Sequence, residues 1–265
     1  MKYHLIKLGG SIITDPALKD FFNKKNTSRL AQELFPFHRG CIIIHGTGHI
    51  GKPPAIKYHY LESGIIDKKD HLIALGIKHS IRQLNEKVVA ELLKTNIPAI
   101  PMDILHFSGI SASIKNNALL KDKIRQLVAN GLVPVFSGDL LPQADGTFKV
   151  ISSDLITLLI AKIIKPENVI FLTDVDGVIA EKTGIDNQSG YEILPYLTTE
   201  SRNKMQRFEN DRNDVSGGMR MKVETALDIS NYCIRCFIGN GFTRHLISDF
   251  FNNNPIKGTI VKAEP

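Results

Sequence analysis

The stretch Val169-Ile170-Phe171-Leu172-Thr173-Asp174-Val175-Asp176-Gly177-Val178 places an apolar run directly before two carboxylates and a glycine. A short apolar run that is rich in β-branched and aromatic residues and bounded by turn residues predicts a buried strand over 169–173. Because two acids and a glycine follow at once, the end of this strand is a candidate binding position.

Further short apolar runs of this kind occur on both sides of that stretch, and longer amphipathic segments separate them. This alternation predicts an α/β fold with a largely parallel sheet that helices cover on both faces. The segment 138–149 predicts a β-hairpin with Asp145-Gly146 as its turn. The polar segments 181–191 and 200–214 predict a loop and a solvated surface. The other predicted strands are Tyr3–Leu8, Cys41–Ile44, Ala99–Met102, Val133–Phe136 and Cys233–Ile238, and the predicted helices are Thr27–His38, Asp70–Thr95, Asn117–Asn130, Ser152–Ile164, Gly218–Asn231 and Arg244–Phe251.

The composition is that of an ordinary globular protein. Of 265 residues, 43% are hydrophobic and 23% charged, which excludes a disordered chain and a mini-protein. The formal net charge of +6 suits an anionic ligand without selecting one. The chain begins with a strand pattern rather than a signal peptide and lacks a run of ~18 uncharged apolar residues, so we expect a cytoplasmic protein without a membrane partner. Cys233 and Cys236 lie in an apolar run and are expected to be packing residues.

Residues 45–53 match two phosphate-binding patterns at once. As Gly46-x-Gly48-x-x-Gly51 they fit the dinucleotide fingerprint, but that motif needs an uninterrupted helix, which Pro53-Pro54 is expected to break. As Gly46-x4-Gly51-Lys52 they resemble a P-loop, but Pro53 lacks the hydroxyl with which Ser or Thr would ligate Mg²⁺. The context therefore disfavours both a nicotinamide or flavin enzyme and a P-loop enzyme.

A third phosphate-type signal follows the first predicted strand. In Lys7-Leu8-Gly9-Gly10-Ser11, two glycines let the backbone approach an anion so that N–H groups can contact phosphate oxygens. Elsewhere, Ser152-Ser153-Asp154 places a carboxylate at a helix start, and Ser216-Gly217-Gly218-Met219 opens a helix that carries Lys222. A glycine pair after a strand is by itself a common turn, so the combination of segments is what indicates a site.

The order of these motifs resembles that of the amino-acid kinase superfamily. Lys-x-Gly-Gly-Ser, Gly-x-Gly after the second strand, Ser-Asp at a helix start, Thr-Asp-Val-Asp-Gly-Val and Gly-Gly-Met-x-x-Lys occur between Lys7 and Ile260. The resemblance implies a three-layer α/β/α sandwich with a largely parallel open sheet. It also implies an acceptor-binding half over residues 1–165, an ATP-binding half over 166–265, one continuous sheet, and a homodimer formed through the helix at 70–95.

Within that superfamily, the chain is most similar to the isopentenyl phosphate kinase and fosfomycin kinase families. His45-Gly46-x-Gly48, Pro53 with Lys57-Tyr58, and Gly138-Asp139 carry this similarity. Both families phosphorylate an acceptor that already bears a phosphate or phosphonate, so the resemblance implies a small anionic acceptor. ATP and Mg²⁺ are the implied cosubstrate and cofactor, with the metal held mostly by phosphates and water rather than by a protein site.

The resemblance implies a role for each motif. Lys7 and Lys222 would flank the transferred phosphoryl group, and Asp154 between them would keep both lysines charged. The remaining implied ATP-binding residues are Gly9, Gly10, Ser11, Asp174, Gly177 and Gly218, and the implied acceptor-binding residues are Gly46, Thr47, Gly48, His49, Lys52, Gly138 and Asp139.

The acceptor loop departs from the pattern of the isopentenyl phosphate kinases, which typically read His-Gly-Gly-Gly-Ser-Phe-Gly-His and use the final His to contact the acceptor phosphate. Here Thr47 replaces a glycine and Lys52 stands at the position of that His. Lysine supplies a point charge without the ring geometry of imidazole, and His49 is an alternative contact. The acceptor therefore stays open among small phosphates, phosphonates and carboxylates. A nucleotide-binding relative without turnover is a further alternative, whereas scattered lysines without aromatic stacking residues disfavour nucleic-acid binding.

Overall fold

An eight-stranded sheet forms the centre of the protein, which we describe from a computed structural model covering residues 2–58, 60, 63–107, 117–181, 191–201 and 218–263. The strands are β1 His4–Leu8, β2 Cys41–His45, β3 Ile65–Ile66, β4 Ala99–Pro101, β5 Val133–Ser137, β6 Asp139–Pro142, β7 Phe148–Ile151, β8 Asn168–Thr173, β9 Ile179–Glu181, β10 Tyr191–Ile193, β11 Tyr196–Leu197, β12 Arg235–Asn240 and β13 Thr259–Val261. The strand order in the central sheet is β11-β13-β12-β8-β1-β2-β5-β4, and neighbouring strands are parallel except β12 and β13.

Helices cover both faces of this sheet, which confirms the predicted α/β fold with a largely parallel sheet. The helices are α1 Gly10–Ile13, α2 Lys24–Leu34, α3 Gly48–Lys57, α4 His71–Lys94, α5 Asn117–Ala129, α6 Ser153–Ile164, α7 Gly218–Ser230 and α8 Leu246–Phe251. Side chains alternate along a strand, so Leu5 packs with α5, α6 and α7 on one face, and Ile6 packs with α2, α4 and α8 on the other.

The sheet is continuous across the boundary predicted between residues 165 and 166. Strands β4, β5, β2 and β1 come from the first part of the chain, and β8, β12, β13 and β11 come from the second. The two parts meet where β1 pairs with β8. The boundary itself stays a prediction. No helix in the described ranges combines the length and hydropathy that crossing a bilayer requires.

Two helix starts can be compared with the predicted helix bounds. The prediction that α2 begins at Thr27-Ser28 is wrong, because the side chain of Asn23 accepts a hydrogen bond from the amide of Asn26 (3.0 Å) and starts the helix at Lys24. The predicted helix start at Ser152 is confirmed, since Ser152 is the N-cap of α6 and its hydroxyl accepts a hydrogen bond from Leu155 N–H (3.1 Å).

The expectation that Pro53-Pro54 breaks a helix is also wrong. Helix α3 runs from Gly48 to Lys57 through both prolines. The helix is short, so the prolines remove only a few hydrogen bonds, and the amide of Tyr58 closes its end on Pro54 O and Ile56 O.

A second, antiparallel sheet of order β3-β7-β6 lies beside α3 and α4. It contains the predicted hairpin, and Gly146 in its turn has φ +85°. A small apolar cluster joins this sheet to α4 and includes Ile66, Ala74 and Phe148. Of the predicted loop 181–191, the two end residues pair as part of β9 and β10, and the interior lies outside the described residues, as does most of segment 200–214.

Candidate active site

Lys7 is a buried lysine near the end of the central strand β1. Its neighbours in register are Ile44 on β2 and Phe171 on β8, and only 3% of its surface is exposed. Because side chains alternate along a strand, Lys7 lies on the same face as Leu5, the face that α6 covers. A lysine buried in this way requires an anionic partner.

Asp154, the second residue of α6, is that partner. Its Oδ1 lies 2.8 Å from the Nζ of Lys7. The Nζ of Lys222 on α7 lies 3.6 Å from Asp154 Oδ2, beyond ordinary hydrogen-bond distance. Burial alone would raise the pKa of Asp154, but the two ammonium groups outweigh burial and hold the pKa below its usual range. The three predicted catalytic residues therefore come together in one cluster.

Lys222 is the second lysine of this cluster, and its pKa departs from the usual value for lysine. Burial, reinforced by the charge of Lys7, lowers the pKa of Lys222 to about 7, although Asp154 acts in the opposite direction. One carboxylate faces two ammonium groups, so the cluster carries an excess of positive charge when both lysines are protonated. An added anion such as a phosphate would compensate that excess.

The glycine loops after β1 and β2 pack directly against each other. A methyl group on Gly10 would lie 2.2 Å from the amide nitrogen of Gly48, and one on Gly46 would lie 2.6 Å from the nitrogen of Gly10. Gly48 also has φ +49°, in the left-handed region that favours glycine. The glycines of the two loops therefore serve close backbone packing, which brings the predicted nucleotide and acceptor loops into contact.

Backbone donors in the first loop are partly used by the fold itself. The amide of Gly9 donates to the carbonyl of Leu172 (2.8 Å). Gly10 and Ser11 lie in the first turn of α1, where amides have no intrahelical acceptor. The donors that this loop can offer to a phosphate are therefore those of Gly10 and Ser11 rather than that of Gly9.

Thr14 is a connecting residue that the sequence did not reveal. Its hydroxyl donates to Gly10 O (2.7 Å) and accepts a hydrogen bond from His49 N–H (3.1 Å). It thereby links α1 to the first turn of α3. Asn85 on α4 is another, since it lies 3.2 Å from Nε2 of the fully buried His45. Neither residue belongs to a recognisable motif, so no sequence signal could have identified them.

The predicted acceptor residues lie around the end of β2. Gly46 and Thr47 join this strand to α3, which begins at Gly48 and in which His49 is half-buried. Gly138 donates its amide to His45 O (3.1 Å) and lies near the start of α6, because a methyl group on it would be 3.2 Å from Ser153 N. The backbone of Lys52 belongs to α3, and its side chain lies outside the described residues.

Asp139 is buried in an ion pair with Lys78 of α4. One carboxylate oxygen contacts the Lys78 ammonium, and the other accepts a hydrogen bond from Leu140 N–H (2.7 Å). Lys78 also lies 3.3 Å from Leu140 O and 3.8 Å from Asp103, which pairs with Arg82. Both oxygens of Asp139 thus have partners within the fold, so we interpret it as a residue that holds Gly138 in place.

This ion pair makes a stability prediction. We expect Lys78→Met or Asp139→Asn alone to lower the free energy of unfolding by about 3 kcal/mol, because each leaves a buried polar group without its partner. The double variant should lose clearly less than the sum of the two. Urea unfolding of the four proteins measures this coupling. Additive losses would show that the two side chains do not interact.

The predicted nucleotide residues after β8 divide into an exposed and a packed part. Asp174 is exposed at the end of the strand. Asp176 accepts a hydrogen bond from Asn240 (2.8 Å) and pairs with Lys257 (2.5 Å), which ties this loop to β12 and to the approach to β13. Gly177 packs on β13, because a methyl group on it would lie 2.8 Å from Thr259 Oγ1. Gly218 is the first residue of α7.

Comparison with known proteins places this geometry in a family context. The model of the amino acid kinase family matches residues 2–240. The isopentenyl phosphate kinase of Methanocaldococcus jannaschii is 29% identical, and the alignment covers 89% of this chain and 90% of that protein. The isopentenyl phosphate kinase of Methanothermobacter thermautotrophicus is 28% identical, and the alignment covers 98% of this chain and 99% of that protein. A crystal structure of isopentenyl phosphate kinase superposes with a TM-score of 0.74 at 25% identity, over 97% of this chain and 99% of that one.

Proposed function

Because the chain belongs to the amino acid kinase family, we propose that it is an ATP-dependent kinase for a small phosphate- or phosphonate-bearing acceptor of the isopentenyl phosphate type. The observation that carries the proposal is the buried cluster of Lys7, Asp154 and Lys222. The cluster lies at the end of β1, which leads into the glycine loop, and in the first turns of α6 and α7. The relatives of this chain that are named isopentenyl phosphate kinase support the acceptor class.

The chemistry is an in-line displacement at the γ-phosphorus of ATP. An anionic oxygen of the acceptor's phosphate or phosphonate forms the new P–O bond, and the bond from the γ-phosphorus to the β,γ-bridging oxygen breaks, which releases ADP. The attacking oxygen is already ionised near neutral pH, so no general base is required. What the site must supply is positive charge where two anions meet.

Lys7 and Lys222 supply that charge in our proposal. They approach the transferring group from a strand and from a helix, and Asp154 holds them at a fixed separation. When the phosphates bind, they favour the protonated form of Lys222, whose pKa of about 7 in the free protein is set by burial and by Lys7. The two ammonium groups are fixed before reaction, so no reorganisation is needed as negative charge accumulates.

The nucleotide would be bound by the loops that surround this cluster. Amides of Gly10 and Ser11 would donate to its phosphates, and Asp174, Gly177 and the start of α7 at Gly218 would line its pocket. Gly9 would contribute through its position in the turn. Mg²⁺ would arrive with ATP, held mainly by phosphate oxygens and water.

The acceptor would bind at the loop after β2. Backbone groups of Gly46, Thr47 and Gly48 would contact its phosphate, and His49 or Lys52 would supply the opposing charge. Gly138 forms the adjoining wall, and Asp139 holds that wall through Lys78. The contact between Gly10 and Gly48 supports a short distance between acceptor and nucleotide.

A phosphotransfer panel tests the proposal. The protein is incubated with ATP and Mg²⁺ and with isopentenyl phosphate, fosfomycin or a small carboxylic acid, and products are followed by mass spectrometry and ³¹P NMR. We expect a phosphate or phosphonate acceptor to gain about 80 Da, one PO3H, with a new P–O–P signal. Lys222→Met serves as the control for contaminating kinases. If only the carboxylic acid were phosphorylated, the proposed acceptor class would be wrong. If the protein bound ATP but transferred no phosphoryl group to any of the acceptors, the proposed turnover would be wrong.

A further inference from the structure

Phe21 is an exposed aromatic residue in an unfavourable backbone conformation. Its φ is +57°, and 38% of its surface is exposed. An L-residue in this region brings its Cβ close to the following carbonyl oxygen, which is why glycine and asparagine usually occupy it. Strained positions of this kind cluster at functional sites, so the ring of Phe21 needs a reason.

The turn around Phe21 explains the backbone conformation but not the ring. The amide of Phe21 donates to Leu18 O (3.0 Å), and its carbonyl accepts from Asp15 N–H (2.7 Å). The next residue, Phe22, is buried in the core below the turn. Inverting the backbone at position 21 sends Phe22 inward and Phe21 outward. A glycine would serve this turn with less strain, so the turn alone does not account for a phenylalanine.

The ring of Phe21 stacks on the imidazole of His49. The two centroids are 6.4 Å apart, and the planes are inclined by 27°, within the range of favourable offset stacking. The backbone of His49 is held by the same segment, because its amide donates to Thr14 Oγ1 (3.1 Å). Residues 14–21 therefore fix His49 twice, at its backbone and at its ring.

His49 is only one residue from Gly48, whose backbone contacts Gly10 of the nucleotide loop. The stack on Phe21 restricts the orientations in which this imidazole can meet an anion that binds at the loop. We propose that Phe21 is the positioning residue for His49, and that through this stack it determines how tightly the acceptor's anionic group is bound. The inference rests on the proposed function, which places the acceptor at this loop.

The kinetic test uses Phe21→Gly, a variant that removes the ring and relieves the strain. The acceptor KM should rise about tenfold, while the KM for ATP stays within twofold and the melting temperature does not fall. Phe21→Tyr, which keeps the ring, should preserve the acceptor KM. In the double variant, Phe21→Gly should raise the acceptor KM little beyond its value in His49→Ala, since both substitutions remove the same contact.

The chain offers a matched control in Phe35, which is 43% exposed and stacks on His38 with centroids 5.6 Å apart. This pair lies just after α2, in a short 3-10 turn and at the residue following it. Phe35→Ala should leave the acceptor KM unchanged. An acceptor KM within twofold of wild type in Phe21→Gly would overturn the inference, as would a joint rise of both KM values with a lower melting temperature.

A binding measurement separates this inference from the proposed function. NMR signals of the His49 ring are followed while isopentenyl phosphate is added to the wild type and to Phe21→Gly. We expect a saturable shift in the wild type and at least a tenfold weaker affinity in the variant. That result would support the inference even if the wild type transferred no phosphoryl group, which would contradict the proposed function alone. Equal affinities in an active wild type would contradict the inference alone.

Discussion

Lys222→Met should lower kcat by about 10³-fold or more while the protein stays folded. Lys222 is one of two ammonium groups that face Asp154, and its side chain is 11% exposed. Methionine retains the length of the side chain and fills the buried space, but it cannot stabilise the negative charge that accumulates between the two phosphate groups. The measurement is steady-state phosphotransfer with the best acceptor of the panel, together with thermal melting.

Lys162→Met is a suitable control for this change, because Lys162 is an exposed lysine on α6, the helix that carries Asp154. Its kcat should remain close to that of the wild type. The fold of Lys222→Met should also persist, because Asp154 keeps Lys7 as its ion-pair partner at 2.8 Å and methionine fills the space of the lysine side chain. Near-normal turnover in Lys222→Met would remove this lysine from the proposed mechanism.

Asp154→Asn should lower kcat by about 10²-fold or more and change the pH dependence of the remaining activity. Without the carboxylate, the two ammonium groups repel each other uncompensated, so the pKa of at least one lysine falls further. The fraction of protein with both lysines charged then declines at lower pH than in the wild type. We therefore expect the alkaline limb of the kcat profile to move toward acid pH.

Glu167→Gln provides the comparison for Asp154→Asn. Glu167 pairs with the exposed Lys2 (3.0 Å) just before β8, at the opposite end of the sheet from the site. The pH dependence of kcat in Glu167→Gln should coincide with that of the wild type. If Asp154→Asn lowered kcat with no displacement of the alkaline limb, the carboxylate would not control the protonation of the lysines.

Much of the fold could be predicted because local patterns and tertiary packing agree. The helix predicted at 70–95 is α4, His71–Lys94, since its apolar residues recur at helical spacing along one face. The meeting of Lys7, Asp154 and Lys222 was implied by the family resemblance of the motifs, and the structure brings the three side chains together at the end of β1 and in the first turns of α6 and α7. No local sequence pattern predicts the distances between these three side chains, because those distances depend on how α6 and α7 pack against each other.

The features that escaped prediction depend on contacts between distant parts of the chain. Lys78 and Asp139 are 61 positions apart, and a lysine on an amphipathic helix normally lies in solvent. The family resemblance implies an acceptor contact for Asp139, and no local pattern indicates its buried ion pair with Lys78. The stack of Phe21 on His49 could not be predicted from the sequence either, because phenylalanine rarely adopts the positive φ that Phe21 has here. The low helix propensity of proline also led to a wrong prediction at Pro53-Pro54, where α3 continues through both residues.

β1 borders β2 on one side and β8 on the other, and the loop that follows β1 touches the loop that follows β2. Neither half of the chain can melt without exposing the apolar interior of its neighbour. Binding of nucleotide or acceptor at the proposed sites should therefore raise the melting temperature of the entire molecule in a single transition. A thermal shift with nucleotide alone would then report on the integrity of both halves.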